Sequence, residues 1–172
     1  MKIDTFEHLE RIRNKFGPGI FGKIIQKLLA LTFSDAGFLY MVERGVQGVD
    51  IDVTSPCGMR YAVEVKTTDA DRITISQDNI EALKDRTHDG YIPLIAALRM
   101  QPFEDWIMAS IPISRLQKGT YLLSRLRAYR VKDIESLICP AFEAATKKHS
   151  LGVLSKGEDY LREILAQKRN IP

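Results

Sequence analysis

The segment 48–66 constrains the fold most, because it predicts two strands joined by a tight Ser-Pro-Cys-Gly turn. Asp50 and Asp52 alternate with apolar residues in the first strand, so both carboxylates lie on one face of it. Glu64 and Lys66 likewise share one face of the second strand. Pairing of these strands brings an aspartate beside Glu64, and two carboxylates that close repel each other unless a divalent cation lies between them.

The residues around these charges are too apolar for a solvent-exposed hairpin, which is the alternative interpretation, and so favour a metal site. Asp50, followed after the turn by Glu64-Val65-Lys66, resembles the signature of the PD-(D/E)xK nuclease superfamily. The resemblance implies that Asp50, Glu64 and the backbone carbonyl of Val65 hold Mg²⁺ or Mn²⁺, and that Lys66 positions or activates the attacking water. Asp52 competes for the first ligand position, but we favour Asp50 because it stands at the opening of the strand.

The order of predicted elements agrees with this resemblance: a helix, a three-stranded meander, a helix and two strands. It indicates an α/β, restriction-endonuclease-like core, with a central mixed sheet flanked by helices and an added N-terminal helix, over residues 1–113. Within the superfamily, residues 20–113 are most similar to archaeal Holliday junction resolvases. The predicted elements are helices at 4–16 (Asp4 as N-cap) and 21–32, strands at 38–42, 49–53, 61–66 and 73–75, a turn at Arg44-Gly45, a helix at 77–87 capped by Ser76, and strands at 91–98 and 105–113.

Two glutamines occupy positions at which the resemblance predicts site residues. Gln26 stands where the resolvases carry a glutamate on the first core helix, so it can support the site by orienting water or a ligand but adds no charge. Glu7 or Glu10 is an alternative carboxylate if the N-terminal helix folds over the site. Gln77 matches a polar position that often lines the site in this superfamily, and its alternative is a solvent-facing residue in the first helical turn.

The charges are distributed unevenly along the chain. Residues 28–114 contain 7 Lys and Arg against 13 Asp and Glu, whereas residues 115–172 contain 12 against 6. An acidic centre between basic ends is typical of a cation-dependent enzyme that acts on a polyanion, although a solvated basic helix has the same composition. The residues predicted to contact nucleic acid are Lys15, Lys23, Thr68, Arg72, Arg125, Arg127 and Arg130.

Residues 114–172 are predicted to form a basic helical extension packed on the core. Its expected helices include one that contains Tyr121 and Tyr129, one at 131–146, and a last one at 156–169, with a break at Leu151-Gly152-Val153. The extension can bind nucleic acid through basic residues interleaved with tyrosines, or it can form a dimer interface or a helical cap.

Several other classes of function are disfavoured by the sequence. The stretch GPGIFGK has the spacing of a nucleotide-binding loop, but Ile24 replaces the required Ser or Thr, so we expect no nucleotide cofactor. We expect unpaired thiols at Cys57 and Cys139, with a disulfide as the alternative, and scattered surface histidines rather than a metal triad. There is no apolar run of 18 residues and no secretory signal, so we expect no membrane association and a cytoplasmic, nucleoid-associated protein.

Together these features predict a metal-dependent endodeoxyribonuclease that acts on a four-way junction, a restriction site, or damaged or branched DNA. The resemblance also implies a homodimer, because two strands must be cut. The alternatives are a non-catalytic nucleic-acid-binding module on a decayed nuclease fold, and a structural or partner-binding protein whose acidic hairpin is coincidental.

Overall fold

The computed structural model describes residues 1–43 and 48–169. Twelve helices and strands make up this part of the chain, joined in places by short 3-10 turns. In chain order they are α1 (Ile3–Asp35), β1 (Tyr40–Glu43), β2 (Ile51–Thr54), β3 (Arg60–Thr68), β4 (Arg72–Ile75), α2 (Gln77–His88), β5 (Ile92–Arg99), β6 (Ile107–Ala109), β7 (Gly119–Leu122), α3 (Leu123–Leu126), α4 (Lys132–Lys156) and α5 (Glu158–Arg169).

Five of the strands form one mixed sheet in the order β1-β2-β3-β5-β6. β1, β2 and β3 pair antiparallel, as the predicted meander requires, and β6 pairs antiparallel with β5 at the other edge. The long central strand β3 pairs parallel with β5 over eight residues, from Tyr61 opposite Ile92 to Thr68 opposite Arg99. β3 is therefore the middle strand of the sheet, with a hydrogen-bonded neighbour on both sides. This arrangement confirms the restriction-endonuclease-like α/β fold.

The two faces of the sheet are covered by different layers. Val63 faces a core built with α1, α4 and α5, in which Leu28 and Phe142 are buried. Ala62 faces a second core built with α2, α3 and the small β4–β7 sheet, in which Leu83 is buried. Since side chains alternate along a strand, Glu64 and Lys66 share the face of Ala62 and look toward the second layer.

The N-terminal helices differ from the sequence-based prediction. The break expected at 17–19 is a kink within α1, where Gly17 takes a φ of 75° and Pro18 starts the next helical stretch. Only a residue without Cβ adopts such a φ at low cost, and Pro is favoured in the first turn of a helix. The helix begins earlier than predicted, with Lys2 rather than Asp4 at the N-cap. The turn expected at Arg44-Gly45 lies outside the described residues.

The C-terminal region differs more. The chain around Tyr121 forms strand β7, which pairs with β4, instead of the predicted helix. α4 continues through the break expected at Leu151-Gly152-Val153. Gly152 instead makes room for the ring of Tyr160, since a Cβ at this position would lie 2.3 Å from it. His149 packs against the same ring and is buried, so the prediction of a surface histidine was wrong.

β6 pairs with residues 95–97 of β5, so Pro93 lies outside that ladder and does not interrupt it. Cys57 and Cys139 are free thiols, as expected. Within the described ranges, no helix combines the length and the low polarity that crossing a membrane demands.

Candidate active site

The pairing of β2 with β3 positions the two acids of the predicted motif. Ile51 lies opposite Val63, so the next step of the same register sets Asp50 opposite Glu64. Asp50 precedes β2, and its carboxylate Oδ2 accepts a hydrogen bond of 2.7 Å from the backbone N–H of Val65. That bond turns the Asp50 carboxylate toward β3, one residue from Glu64.

Glu64 is the most unusual side chain of this cluster. It is only 2% exposed, and its Oε1 accepts hydrogen bonds from Lys66 Nζ at 2.7 Å and from Asn79 Nδ2 at 2.6 Å. Its Oε2 is buried and has no hydrogen-bond partner among the described residues. One oxygen of the carboxylate is therefore doubly satisfied while the other has lost water without a replacement.

The electrostatics of Glu64 follow from this environment. Burial disfavours the charged form and the negative charge of Asp50 opposes it further, so the pKa of Glu64 rises to about 7. Lys66 and Asn79 act in the opposite direction but do not offset the burial. The buried carboxylate of Glu64, with Oε2 unpartnered, is therefore short of positive charge.

A divalent cation fits this deficit. It would interact with the unpartnered Oε2 and remove the repulsion between the two acids. Within residues 1–43 and 48–169, no group of three or more His, Cys, Asp or Glu side chains has a metal-binding arrangement. Two carboxylates are nevertheless a usual protein contribution for Mg²⁺, which keeps several of its waters.

Asp52 was the competing ligand, and the structure gives it a different environment. It is 1% exposed, and its two oxygens accept hydrogen bonds from Arg86, at 3.1 Å from Nε and 2.7 Å from Nη2. The Arg86 guanidinium in turn lies 4.0 Å from the ring centre of Tyr91. A bidentate guanidinium compensates the charge of Asp52, so we favour Asp50 over Asp52 as the acid that acts with Glu64.

The glutamines are placed as follows. Gln26, on α1, donates through Nε2 to the backbone carbonyl of Asp50 at 3.2 Å, so it holds the backbone of Asp50 rather than its carboxylate. Gln77 is exposed and donates to Glu81 at 3.1 Å, which matches its alternative interpretation as a solvent-facing residue. Glu7 and Glu10 are exposed on α1.

Asn79 is the residue that sequence reasoning missed. Ser76 caps α2, and the Asn79 side chain accepts from the backbone N–H of Ser76 at 3.0 Å while its Nδ2 reaches Glu64. The signal was present in the Ser-x-x-Asn spacing, since a capping box turns the third helical side chain back toward the helix start. The Ser-x-x-Asn spacing does not predict that β3 lies beside the start of α2.

The predicted nucleic-acid contacts do not form one surface of free cations. Lys23 and Arg125 are exposed. The other five side chains bond within the protein: Lys15 to the carbonyl of Leu154, Thr68 to the N–H of Ala70, Arg72 to Asp71, Arg127 to Glu104, and Arg130 to Glu135.

Comparison with known proteins supports the fold and goes no further. No protein-family model and no curated protein matches this chain. Among solved structures, the chain is similar to Archaeoglobus fulgidus Hjc, a Holliday junction resolvase from an archaeal hyperthermophile. The TM-score is 0.53 at 20% sequence identity, and the match covers 67% of this chain and 95% of that one. The expected likeness to archaeal resolvases is thus confirmed as a likeness of fold.

Proposed function

We propose that this resolvase-like chain is a metal-dependent endonuclease that hydrolyses phosphodiester bonds in DNA. One observation carries the proposal: a buried glutamate on the central strand has an unpartnered oxygen, with a second acid and a lysine beside it. Holding Glu64 in this state costs stability, and such costs are concentrated at sites that bind or react.

Asp50, Glu64 and the backbone carbonyl of Val65 are the groups that would hold Mg²⁺ or Mn²⁺. When bound there, the ion supplies a water of lowered pKa and positive charge against the phosphate. The protein prepares the two acids in advance, because the N–H of Val65 orients Asp50 and the amide of Asn79 orients Glu64.

Lys66 is the group that can act directly on the substrate. Its side chain is 25% exposed, and Nζ lies 2.7 Å from Glu64, so the ammonium group reaches the site from the solvent side. An ammonium in that place can donate to a phosphate oxygen and stabilise the charge that develops on it. Lys66→Met should therefore lower the cleavage rate even at saturating Mg²⁺, because the substrate phosphate loses a donor that the metal ion does not replace.

Branched DNA is the substrate class that the fold favours, since the solved structure it resembles is that of a Holliday junction resolvase. We extend this to a homodimer, because resolution of a junction requires two cuts. Duplex cleavage of the restriction type is the second substrate class.

A non-catalytic DNA-binding module is the second candidate function. Gln26 favours it, since this position on α1 contacts Asp50 without adding the charge that a glutamate would bring to a metal. The two candidates differ in cleavage and not in binding.

A cleavage assay on labelled four-way junctions, forks, linear duplex and single strands, with Mg²⁺, Mn²⁺ or EDTA, tests the proposal. Glu64→Gln is the diagnostic variant. Glu163→Gln is its control, because this exposed carboxylate on α5 belongs to the opposite layer. Metal-dependent cutting by the wild type and by Glu163→Gln, but not by Glu64→Gln, is the expected result. Tight binding with every substrate intact would establish the module instead, and cutting by Glu64→Gln at the wild-type rate would reject this active site.

A further inference from the structure

A second site of distinct chemistry lies outside the Glu64 cluster. A cavity of about 360 Å³ is formed by the segment before β7, by β7 itself and by the turn of α3. Its lining contains three cations, Arg115, Lys118 and Arg125, and no carboxylate.

The three cations differ from most arginines around them. Arg72, Arg127 and Arg130 are each paired with a carboxylate. By contrast, the ion pairs found in the described part of the chain include neither Arg115 nor Arg125, and Lys118 has no carboxylate partner there either. Three uncompensated positive charges around one cavity create a positive potential that selects an anion.

The shape of the cavity is maintained by internal hydrogen bonds. The hydroxyl of Tyr121 donates to the carbonyl of Gln117 at 2.7 Å and accepts from its backbone N–H at 2.8 Å. These bonds close the loop that carries Lys118. Together with the half-buried Tyr129, Tyr121 adds an aromatic surface next to the cations, a combination common in nucleic-acid grooves.

The cavity and the candidate active site belong to the same layer of the molecule. Gly119, at the cavity wall, is the register partner of Ile75 in the β4–β7 sheet. Ser76 follows and caps α2, and Asn79 of that helix bonds to Glu64. The cavity therefore lies on the same side of the main sheet as Glu64.

We propose that this cavity binds a non-scissile phosphodiester of the DNA whose cleavage we assign to Glu64, so the inference rests on the proposed function for its substrate class. The planar guanidinium groups of Arg115 and Arg125 suit the bidentate recognition of a phosphate, and Lys118 adds a point charge. A cavity of this volume accommodates a phosphate with its sugar rather than a whole folded ligand.

Salt-dependent DNA binding tests the assignment. The variant Arg115→Gln/Lys118→Gln/Arg125→Gln removes three exposed cations, so it should fold like the wild type, which circular dichroism checks. Its control is Arg11→Gln/Lys147→Gln/Lys148→Gln, which removes the same charge from exposed positions on α1 and α4 in the opposite layer. Fluorescence anisotropy with a labelled four-way junction in EDTA, between 50 and 200 mM NaCl, provides Kd and its salt slope.

We expect the cavity variant to bind roughly 10-fold more weakly at the lowest salt and to lose about one unit of the slope of log Kd against log salt. The control should change Kd by less than about 2-fold. Arg115→Lys/Arg125→Lys should keep the slope, because the charge is kept, but bind more weakly than the wild type.

Two results would overturn the cavity assignment. One is an equal slope for the cavity and control variants, and the other is saturable binding of inorganic phosphate at the cavity with DNA affinity unchanged by the variant. The outcome is separable from that of the nuclease assay. Cleavage by the wild type with equal slopes would reject the cavity alone, whereas a slope difference without any cleavage would reject the nuclease alone.

Discussion

Asp52 and Glu64 are two buried carboxylates on neighbouring strands and on the same face of one sheet. Their exposures are almost equal, at 1% and 2%. Arg86 meets both oxygens of Asp52 with a guanidinium fork. Glu64 receives Lys66 and Asn79 on a single oxygen and has Asp50 as a neighbour. At equal burial, Asp52 is therefore compensated at both oxygens, whereas Glu64 is compensated at Oε1 alone.

The difference between the two carboxylates shows which one is held at a cost in folding stability. The Asp52–Arg86 pair fastens α2 to β2 with its charges balanced, so it needs nothing from solution. Because the pKa of Glu64 is raised to about 7, about half of the folded molecules carry a protonated Glu64 at neutral pH. A cation from solution would complete the environment of Glu64, whereas Arg86 already supplies the positive charge beside Asp52.

The largest expected effect concerns activity. Glu64→Gln should lower metal-dependent cleavage by roughly 1,000-fold or more, about 4 kcal/mol in the activation barrier, because the amide cannot supply negative charge to a cation. Asp52→Asn, measured per folded molecule, should cleave within about 3-fold of the wild type, a difference of less than about 1 kcal/mol. Single-turnover assays measure the cleavage rates of both variants. Equal decreases in rate would show that the two carboxylates do not have different roles in cleavage.

The next effect concerns stability and has the opposite order. Asp52→Asn should lower the free energy of unfolding by about 3 kcal/mol, since a buried amide replaces the carboxylate that accepts two hydrogen bonds from Arg86, which keeps only its pair with Asp89. Glu64→Gln at pH 8 should raise it, because the substitution removes a buried charge that burial and Asp50 disfavour more than Lys66 and Asn79 favour it. Urea unfolding in EDTA measures both values. A stability loss in Glu64→Gln as large as that in Asp52→Asn would contradict the assignment.

The pH dependence of stability should reflect the same asymmetry. The pKa of Glu64 is raised from 4.5 to about 7, so between these values the folded state binds more protons than the unfolded state. The free energy of unfolding of the wild type, relative to Glu64→Gln, should therefore be unaffected below about pH 4.5. It should fall by about 3 kcal/mol as the pH rises to 8. Urea titrations of both proteins in EDTA, across this pH range, measure the difference between their free energies of unfolding. A wild type that became more stable relative to Glu64→Gln as the pH rises would contradict the prediction.

The parts of the site that the sequence predicts are those encoded by local patterns. Alternation along two short strands brings Asp50, Glu64 and Lys66 together, because a tight turn between them leaves few possible registers. Ser76 as an N-cap is equally local, and so is the apolar run of β5. These features depend on neighbours fewer than about 20 residues apart, which a pattern in one sequence can represent.

The parts that the sequence did not predict depend on partners from elsewhere in the chain. Arg86 is 34 residues from Asp52, so nothing near Asp52 indicates that its charge is balanced. Strand β7 has a helix-like sequence and is extended because β4 offers it an edge. Gly152 looks like a helix break but provides room for Tyr160. In each case a tertiary contact overrides a local preference.

The smallest effect separates Asn79 from Gln77 at the start of α2. Asn79→Ala should slow cleavage about 10-fold, about 1.4 kcal/mol, because Glu64 loses the amide that orients Oε1. The same change should raise the pKa of Glu64 further, since that hydrogen bond favours the charged form. Gln77→Ala should leave both unchanged, since its side chain bonds to Glu81 in solvent.

Loss of the helix cap is the competing explanation for any effect of Asn79→Ala, because Asn79 also bonds to Ser76. Ser76→Ala removes the cap and leaves the hydrogen bond from Asn79 to Glu64. It should therefore cost about 1 kcal/mol of stability, as Asn79→Ala does, while its cleavage rate stays near that of the wild type. Carboxyl-carbon NMR titration of Glu64 in EDTA provides the second readout, and it should move in Asn79→Ala alone. Equal shifts in both variants would mean that Asn79 acts through the helix end, and Glu64 would then be held by Lys66 and its burial rather than by Asn79.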